Sequence, residues 1–125
     1  LPQDKVASIL RQSLIFLSFG HPEGFGLPLA EAGCCGCYLI GYSGLGGSEL
    51  LRLAKDHRAG QEVAYGDWYG FVQACKDLDV QLNNDPSQLS KSLLKYSKTI
   101  RASYSMQRMI QSVQHALQRW EQQIL

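Results

Sequence analysis

A chain of 125 residues with 12 basic and 11 acidic side chains is long enough for one domain with a single modest core. The near-balanced charge contains no basic run or stripe, which argues against a nucleic-acid-binding face. No apolar run approaches the length of a membrane span, and the start lacks the pattern of a secretory signal.

In chain order, residues 5–12 read as a short helix with Val6, Ile9 and Leu10 on one face. SLIFLSF, residues 13–19, is a continuous apolar run that suits a buried strand. A helix follows Gly26, with Pro28 at its first position and Gly36 at its stop. CYLIGY, residues 37–42, is a second buried strand. SGLGGSEL then forms a Gly-rich loop opening a short helix through Leu53, and GQEVAY, residues 60–65, gives a third strand. Asp67 suits the N-cap of a helix carrying Trp68, Phe71, Val72, Cys75 and Leu78, and Asp85-Pro86 supplies the next cap. The last helix spaces Met106, Met109, Ile110, Val113, Leu117, Trp120 and Ile124 three or four apart, a full amphipathic stripe.

Apolar strands alternating with helices predict an α/β fold, a Rossmann-like parallel sheet flanked by helices in three layers. The ligand crevice of such a sheet lies at the carboxyl ends of its strands. Both Gly-rich loops fall there, one after SLIFLSF and one after CYLIGY.

Within HPEGFGLPLAEAGC, residues 21–34, the loop after the first strand leads into a helix N-terminus. Free N–H groups and the helix dipole favour an anion at such a place. Gly24 and Gly26 allow close backbone approach and positive φ. Glu31 lies about one turn into the helix, and helical side chains lean back toward the N-terminus. Its two acceptor oxygens match a pair of neighbouring hydroxyls, such as a ribose diol. Glu23 reaches the other side of the same turn. The spacing suits a ligand with a central diphosphate and a polyol at each end, the layout of a nucleotide sugar.

These residues, E-G-F-G-L-P-L-A-E, resemble the E-x7-E motif of retaining glycosyltransferases of the GT-B fold. The following EAGCCGCYLIGYSGLGGSEL is similar to that family's E-A-x-A-x-G-x-P-V-I-x-x-x-x-G-G-x-x-E, and GQEVAYGDWYGFVQACKDL resembles its G-x-L-V-x-x-x-D segment with the next helix. Tyr38 stands where the family has Pro, and GLGGSE loosens the G-G-x-x-E spacing at Glu49. The resemblance implies a metal-independent donor site in a cleft between two domains, with no cofactor beyond the nucleotide-sugar substrate. It places Glu31 on the ribose and Glu23 beside the transferred sugar as the catalytic candidate. Phe25, Gly26 and Leu27, with Gly24, line the donor sugar and diphosphate. His21 reads either as a further donor contact or as a residue that only fills the loop. Residues 1–125 then form a single-domain piece of the C-terminal, donor-binding domain. The acceptor domain and the upstream half of the nucleotide domain, with its basic residues, would belong to a longer parent. The expected setting is cytoplasmic, with peripheral membrane attachment of the parent left open. The other readings are a non-catalytic nucleotide-binding or interaction domain of the same fold, and a NAD-type domain built on SGLGGS, which has Glu49 where the dinucleotide fingerprint needs its last Gly.

Cys34, Cys35, Cys37 and Cys75 include a CxxC pair. A structural zinc needs four ligands, and no second Cys/His pair has suitable spacing. The pair also falls at a helix C-terminus, where the dipole disfavours a thiolate. The cysteines therefore read as small core residues. Trp68, Trp120 and the Met106/Met109 stripe read as packing residues, part of the stripe becoming exposed if a partner domain is absent. His57 and His115 read as surface residues.

Overall fold

The computed structural model describes residues 1–20, 25–42 and 46–124. Its elements are α1 (Gln3–Arg11), β1 (Ile15–Ser18), α2 (Leu27–Cys34), β2 (Tyr38–Tyr42), α3 (Gly47–Asp56), β3 (Gly60–Val63), α4 (Trp68–Asn84), α5 (Pro86–Ser103) and α6 (Met106–Ile124). The three strands form one parallel sheet in the order β1-β2-β3. Leu17 pairs with Ile40, and Gly41 with Glu62. This is the α/β sheet expected from the alternation of apolar strands and helices. The third strand is shorter than predicted, ending at Val63, and the helix after the second Gly-rich loop runs three residues further, to Asp56.

Two parallel steps in the same direction put α2 and α3 on one face of the sheet, where Gly47 of α3 lies against Leu29 of α2. β2, the central strand, is buried at all five residues, as expected for a strand covered on both faces. Gly60 lies under α3: a Cβ there would come within 2.9 Å of Ala54 Cβ. On the opposite face Tyr42 packs edge-on to Phe71 of α4, with ring centroids 5.4 Å apart. The core is therefore built in three layers around Leu39, Ile40, Leu50, Leu51, Phe71, Leu78 and Ile100.

Asp67 and Asp85 cap their helices as predicted. Asp67 Oδ1 accepts from Gly70 N–H at 2.8 Å, and Asp85 Oδ1 accepts from Gln88 N–H at 2.9 Å. Gly36 follows the end of α2 with φ of 88°, a left-handed stop that a side chain would strain. α5 then lies across α2 and α3. Tyr96, fully buried, donates from its hydroxyl to Leu50 O at 2.9 Å, and Ser97 Oγ donates to Cys34 O at 2.7 Å. Arg101 donates to the same carbonyl through its guanidinium, with Nε at 3.0 Å. Both groups satisfy a carbonyl that the end of α2 leaves open.

Several side-chain expectations change. His57 is half-buried rather than a surface residue: Nδ1 lies 2.9 Å from Leu53 O and Nε2 lies 3.3 Å from Thr99 Oγ1, which ties the end of α3 to α5. Trp68 and Trp120 are not packed in the core, being 65% and 60% exposed. The reason for Trp68 is position, since it opens α4 at the rim of the sheet. For Trp120 it is that α6 has no buried residue along its described length, so Met106 and Met109 are exposed as well.

β1 and β2 run so close that a Cβ at Gly41 would lie 2.8 Å from Ser18 O and 2.6 Å from Ser18 Cβ. Backbone cannot yield as a side-chain tip can. Gly41→Ala is expected to lower stability by about 1–3 kcal/mol. Thermal unfolding of the two proteins checks this, and an unchanged midpoint would contradict the strand spacing.

Candidate functional site: the carboxyl edge of the sheet

α2 starts at Leu27, with Gly26 as its N-cap at φ 79° and ψ 57°. The helix begins one residue earlier than predicted, so Pro28 takes its second position. Gly26 is buried and left-handed, a conformation glycine adopts without the steric cost of a Cβ. The N-cap Gly26 has no side chain to cap α2, and a helix start without such a cap offers its first N–H groups to a ligand. Pro28 contributes no N–H, which leaves Leu27 and Leu29 as the donors of the first turn.

α3 begins beside it. Its N-cap is again a glycine, Gly46. A Cβ at Gly47 would lie 3.4 Å from Leu29 Cδ1 and 3.8 Å from Phe25 O. The two helix N-termini thus converge on the same edge, as the placement of both Gly-rich loops after strands required. Phe25 turns toward the helices that follow, its ring centroid 5.2 Å from that of Tyr104. Burial, followed by the neighbouring Glu49 carboxylate, pushes the Tyr104 phenol up to about 12. Glu49, Arg52, Asp56, Tyr104 and Arg108 line an open cleft of about 670 Å³ beside the start of α3.

Glu31 is exposed and occupies the fifth position of α2, four residues after Leu27, so both lie on one face of the helix. Leu27 is 66% exposed. Glu31 also lines a groove of about 430 Å³ between α1 and α2, opposite Asp4, Val6 and Ala7. The structure therefore places Leu27 and Glu31 on α2, with Phe25 and Gly26 just before its first residue. His21, Glu23 and Gly24 lie outside the described residues. Residues 12–51 and 59–75 contain no Lys or Arg, so neither Gly-rich loop carries a cation of its own, and Arg52 is the side chain that reaches back to Ser48 at the start of α3.

Sequence reasoning missed a group of rings at this edge. Phe19, Tyr42 and Tyr65 end or follow the three strands, and Trp68 and Phe71 open α4. Phe19 stacks on Phe71 at 4.5 Å and on Trp68 at 5.9 Å. An aromatic residue at or just past the carboxyl end of every strand was a signal available in the sequence.

The cysteines lie at the far end of α2. Cys37 is fully buried, and its Sγ donates toward Leu10 O at 3.2 Å. Cys34 and Cys35 are half-buried. Burial and then the neighbouring Cys35 push the Cys37 thiol up to about 11. Burial also raises Cys34, although Arg101 opposes the shift. Among the described residues no group of three or more His, Cys, Asp or Glu side chains is gathered to hold a metal ion. Nor is any helix among them long and apolar enough to cross a membrane.

No protein-family model matches the chain. It is similar to an alpha-1,6-glucosyltransferase of Actinobacillus pleuropneumoniae serotype 7 (strain AP76), 31% identical over 87 residues. The aligned segment covers 66% of this chain and 25% of the relative, so the chain spans about a quarter of the length of the curated relative it matches. The similarity is to a glycosyltransferase, which agrees with the class of protein that the E-x7-E segment resembles.

The Cys37 thiol leads to a pH prediction. Its folded pKa lies above the ordinary value of 9, so folding favours the protonated form. The associated stability is complete below pH 9 and declines as pH rises toward about 11. Cys37 in the native protein should therefore resist alkylation at pH 8 while Cys35 and Cys75 are modified, as read by mass spectrometry. Rapid modification of Cys37 in folded protein at pH 8 would contradict its burial.

Proposed function

We propose that the chain is the donor-binding part of a retaining glycosyltransferase of the GT-B fold, which transfers a sugar from a nucleotide-diphosphate sugar to an acceptor. The observation that carries this reading is the left-handed Gly26 as the N-cap of α2, at the carboxyl end of β1, with Glu31 one turn further on. The similarity to a glucosyltransferase supports it from an independent direction.

In this reading the backbone from Phe25 to Leu27, with the free N–H groups of the first turn, receives the diphosphate. The helix end supplies about half a positive charge, and its hydrogen bonds fix the orientation of the phosphates. Glu31 takes the two ribose hydroxyls with its two carboxylate oxygens, a charge-assisted contact that selects a nucleoside over a bare phosphate. Glu23, Gly24 and His21 flank the transferred sugar, and Glu23 stabilises the charge that develops there as the leaving diphosphate departs. No metal or further cofactor is assigned to this chemistry.

Two phosphate charges exceed what one helix end can balance. The missing cations are assigned to an upstream half of the nucleotide domain, and the acceptor to a second domain, both in a longer parent chain. The parent would work in the cytoplasm. The 125 residues alone should bind nucleotide sugars with a dissociation constant of roughly millimolar or weaker, near −4 kcal/mol, and transfer none.

The test uses calorimetric titration of the parent protein with a nucleoside diphosphate and with pyrophosphate. Glu31→Ala should weaken nucleoside diphosphate binding by about 1.5–3 kcal/mol and leave pyrophosphate binding unchanged. Equal nucleotide binding by both proteins would remove Glu31 from the site. Glu23→Gln should lower kcat far more than donor affinity, because its contact strengthens in the transition state. Normal kcat in that variant would end its assignment to the transferred sugar.

A further inference from the structure

A second hollow lies at the opposite end of the sheet from the candidate site. Tyr38 and Gly60, the first residues of β2 and β3, border it, and its volume is about 530 Å³. That is within the range of about 300–1,000 Å³ usual for small-molecule sites. Its rim combines the cations of Lys55 and Arg58 with the side-chain amides of Gln61, Gln81, Asn84 and Gln88. A smaller hollow of about 280 Å³ adjoins it across Arg58 and adds Lys91 and Lys95 from α5. These cations are far apart in the chain, so no basic run announces them. The acids bordering the two hollows are Asp85 and Asp56, and Asp85 already accepts from Gln88 N–H. The rim therefore carries an excess of positive charge.

Arg58 shows that this charge is placed at a cost. Its φ is 56°, and it is the one non-glycine residue at positive φ among the described residues. The backbone there closes α3, with Arg58 N–H on Lys55 O at 2.9 Å and Ala59 N–H on Ala54 O at 2.7 Å. Glycine fills such a closing position without steric strain, and a residue with a Cβ does not. The helix dipole accounts for a cation in the last turn, such as Lys55, but gives no reason to strain the backbone beyond it. The Arg58 guanidinium makes no hydrogen bond or ion pair among the described residues. The amides beside it are also underused. Those of Gln61 and Gln88 make only long contacts of 3.4 Å, to Tyr38 Oη and Ser92 Oγ.

We propose that this hollow binds a small phosphate monoester with a hydroxylated body, the chemistry of a sugar phosphate. Arg58 and Lys55 take the phosphate, and the amides of Gln61, Asn84 and Gln88 take the hydroxyls. A phosphate monoester carries about 1.5 to 2 negative charges at neutral pH, which matches a cation excess better than one carboxylate does. The planar guanidinium fork meets two phosphate oxygens at once. Amides both donate and accept, as hydroxyls do. Tyr38 is the ring that borders the hollow, and at 2% exposure it offers no face on which a nucleobase could stack. The hollow is at the amino ends of the strands, so its ligand is distinct from the donor assigned to the carboxyl ends.

An NMR titration of the 125-residue chain tests this with glucose 6-phosphate, glucose and inorganic phosphate as separate probes. Glucose 6-phosphate should move the amide resonances of Arg58, Gly60, Gln61 and Gln88, and should bind more tightly than either other probe. Arg58→Gly is the deciding variant. It should raise the thermal midpoint, because the strain at φ 56° is relieved. It should also weaken glucose 6-phosphate binding by about tenfold. Lys98→Gln, on α5 outside both hollows, should leave binding unchanged. Unmoved resonances with glucose 6-phosphate would overturn the proposal. So would equal affinity of Arg58→Gly and the unaltered chain. Inorganic phosphate binding as tightly as the ester would mark an adventitious ion only, and would overturn it too. None of these readouts involves Gly26 or Glu31, so a failure of the donor-site reading would leave them in place.

Discussion

The carbonyl of Cys34, at the end of α2, is the point on which the arrangement depends. Ser97 and Arg101 both donate to it from α5. One residue earlier, Gly33 lets α5 approach so closely that a Cβ would lie 2.8 Å from Ile100 Cδ1 and 3.0 Å from Tyr96 Cε1. Tyr96 then bonds across to Leu50 O on α3. One helix thus fixes the two that carry the candidate site. α2 has only eight residues, too few to be stable by itself, so its direction is set by this tertiary clamp. The clamp holds the C-terminal end, and the N-terminal end opens at the crevice behind Gly26. A cationic Arg at the C-terminus also complements the dipole whose positive end faces the ligand.

Electrostatics limits what the edge can do alone. Two converging helix ends offer partial positive charge, while Glu31 and Glu49 are negative and no Lys or Arg lies within residues 12–51. Arg52 is the first cation after them, and its guanidinium is turned onto Ser48, bonding its carbonyl at 3.2 Å and its hydroxyl at 3.0 Å. The site is organised for hydroxyls and backbone contacts more than for charge neutralisation. The proposed nucleotide-sugar reading therefore needs cations from outside these residues.

Much of this was readable before the fold was known because it rests on local rules. Asp67 and Asp85-Pro86 announce helix starts through short-range hydrogen bonds, and Gly36 announces a stop through its backbone freedom. The buried strands were legible from their apolar runs, and strand–helix alternation placed both Gly-rich loops on one edge. What escaped depends on long-range packing. His57 is drawn inward by Thr99, 42 residues away in the chain. Trp68 was expected in the core because an apolar ring at helical spacing usually packs there, yet its place in the first turn of α4 puts it on the rim. The stripe on α6 was legible as amphipathic, but sequence periodicity carries no information about which surface meets it.

The most direct test of the donor site follows backbone amide shifts of the 125-residue chain while UDP-glucose is added to millimolar concentration. The account predicts that the largest movements fall on Phe25, Gly26, Leu27, Leu29 and Glu31, with Gly46 and Gly47 following. Helix N–H groups respond strongly to an anion placed at their end. Movements concentrated away from these two helix starts, or none at concentrations well above millimolar, would contradict the assignment of this edge as a nucleotide-sugar site.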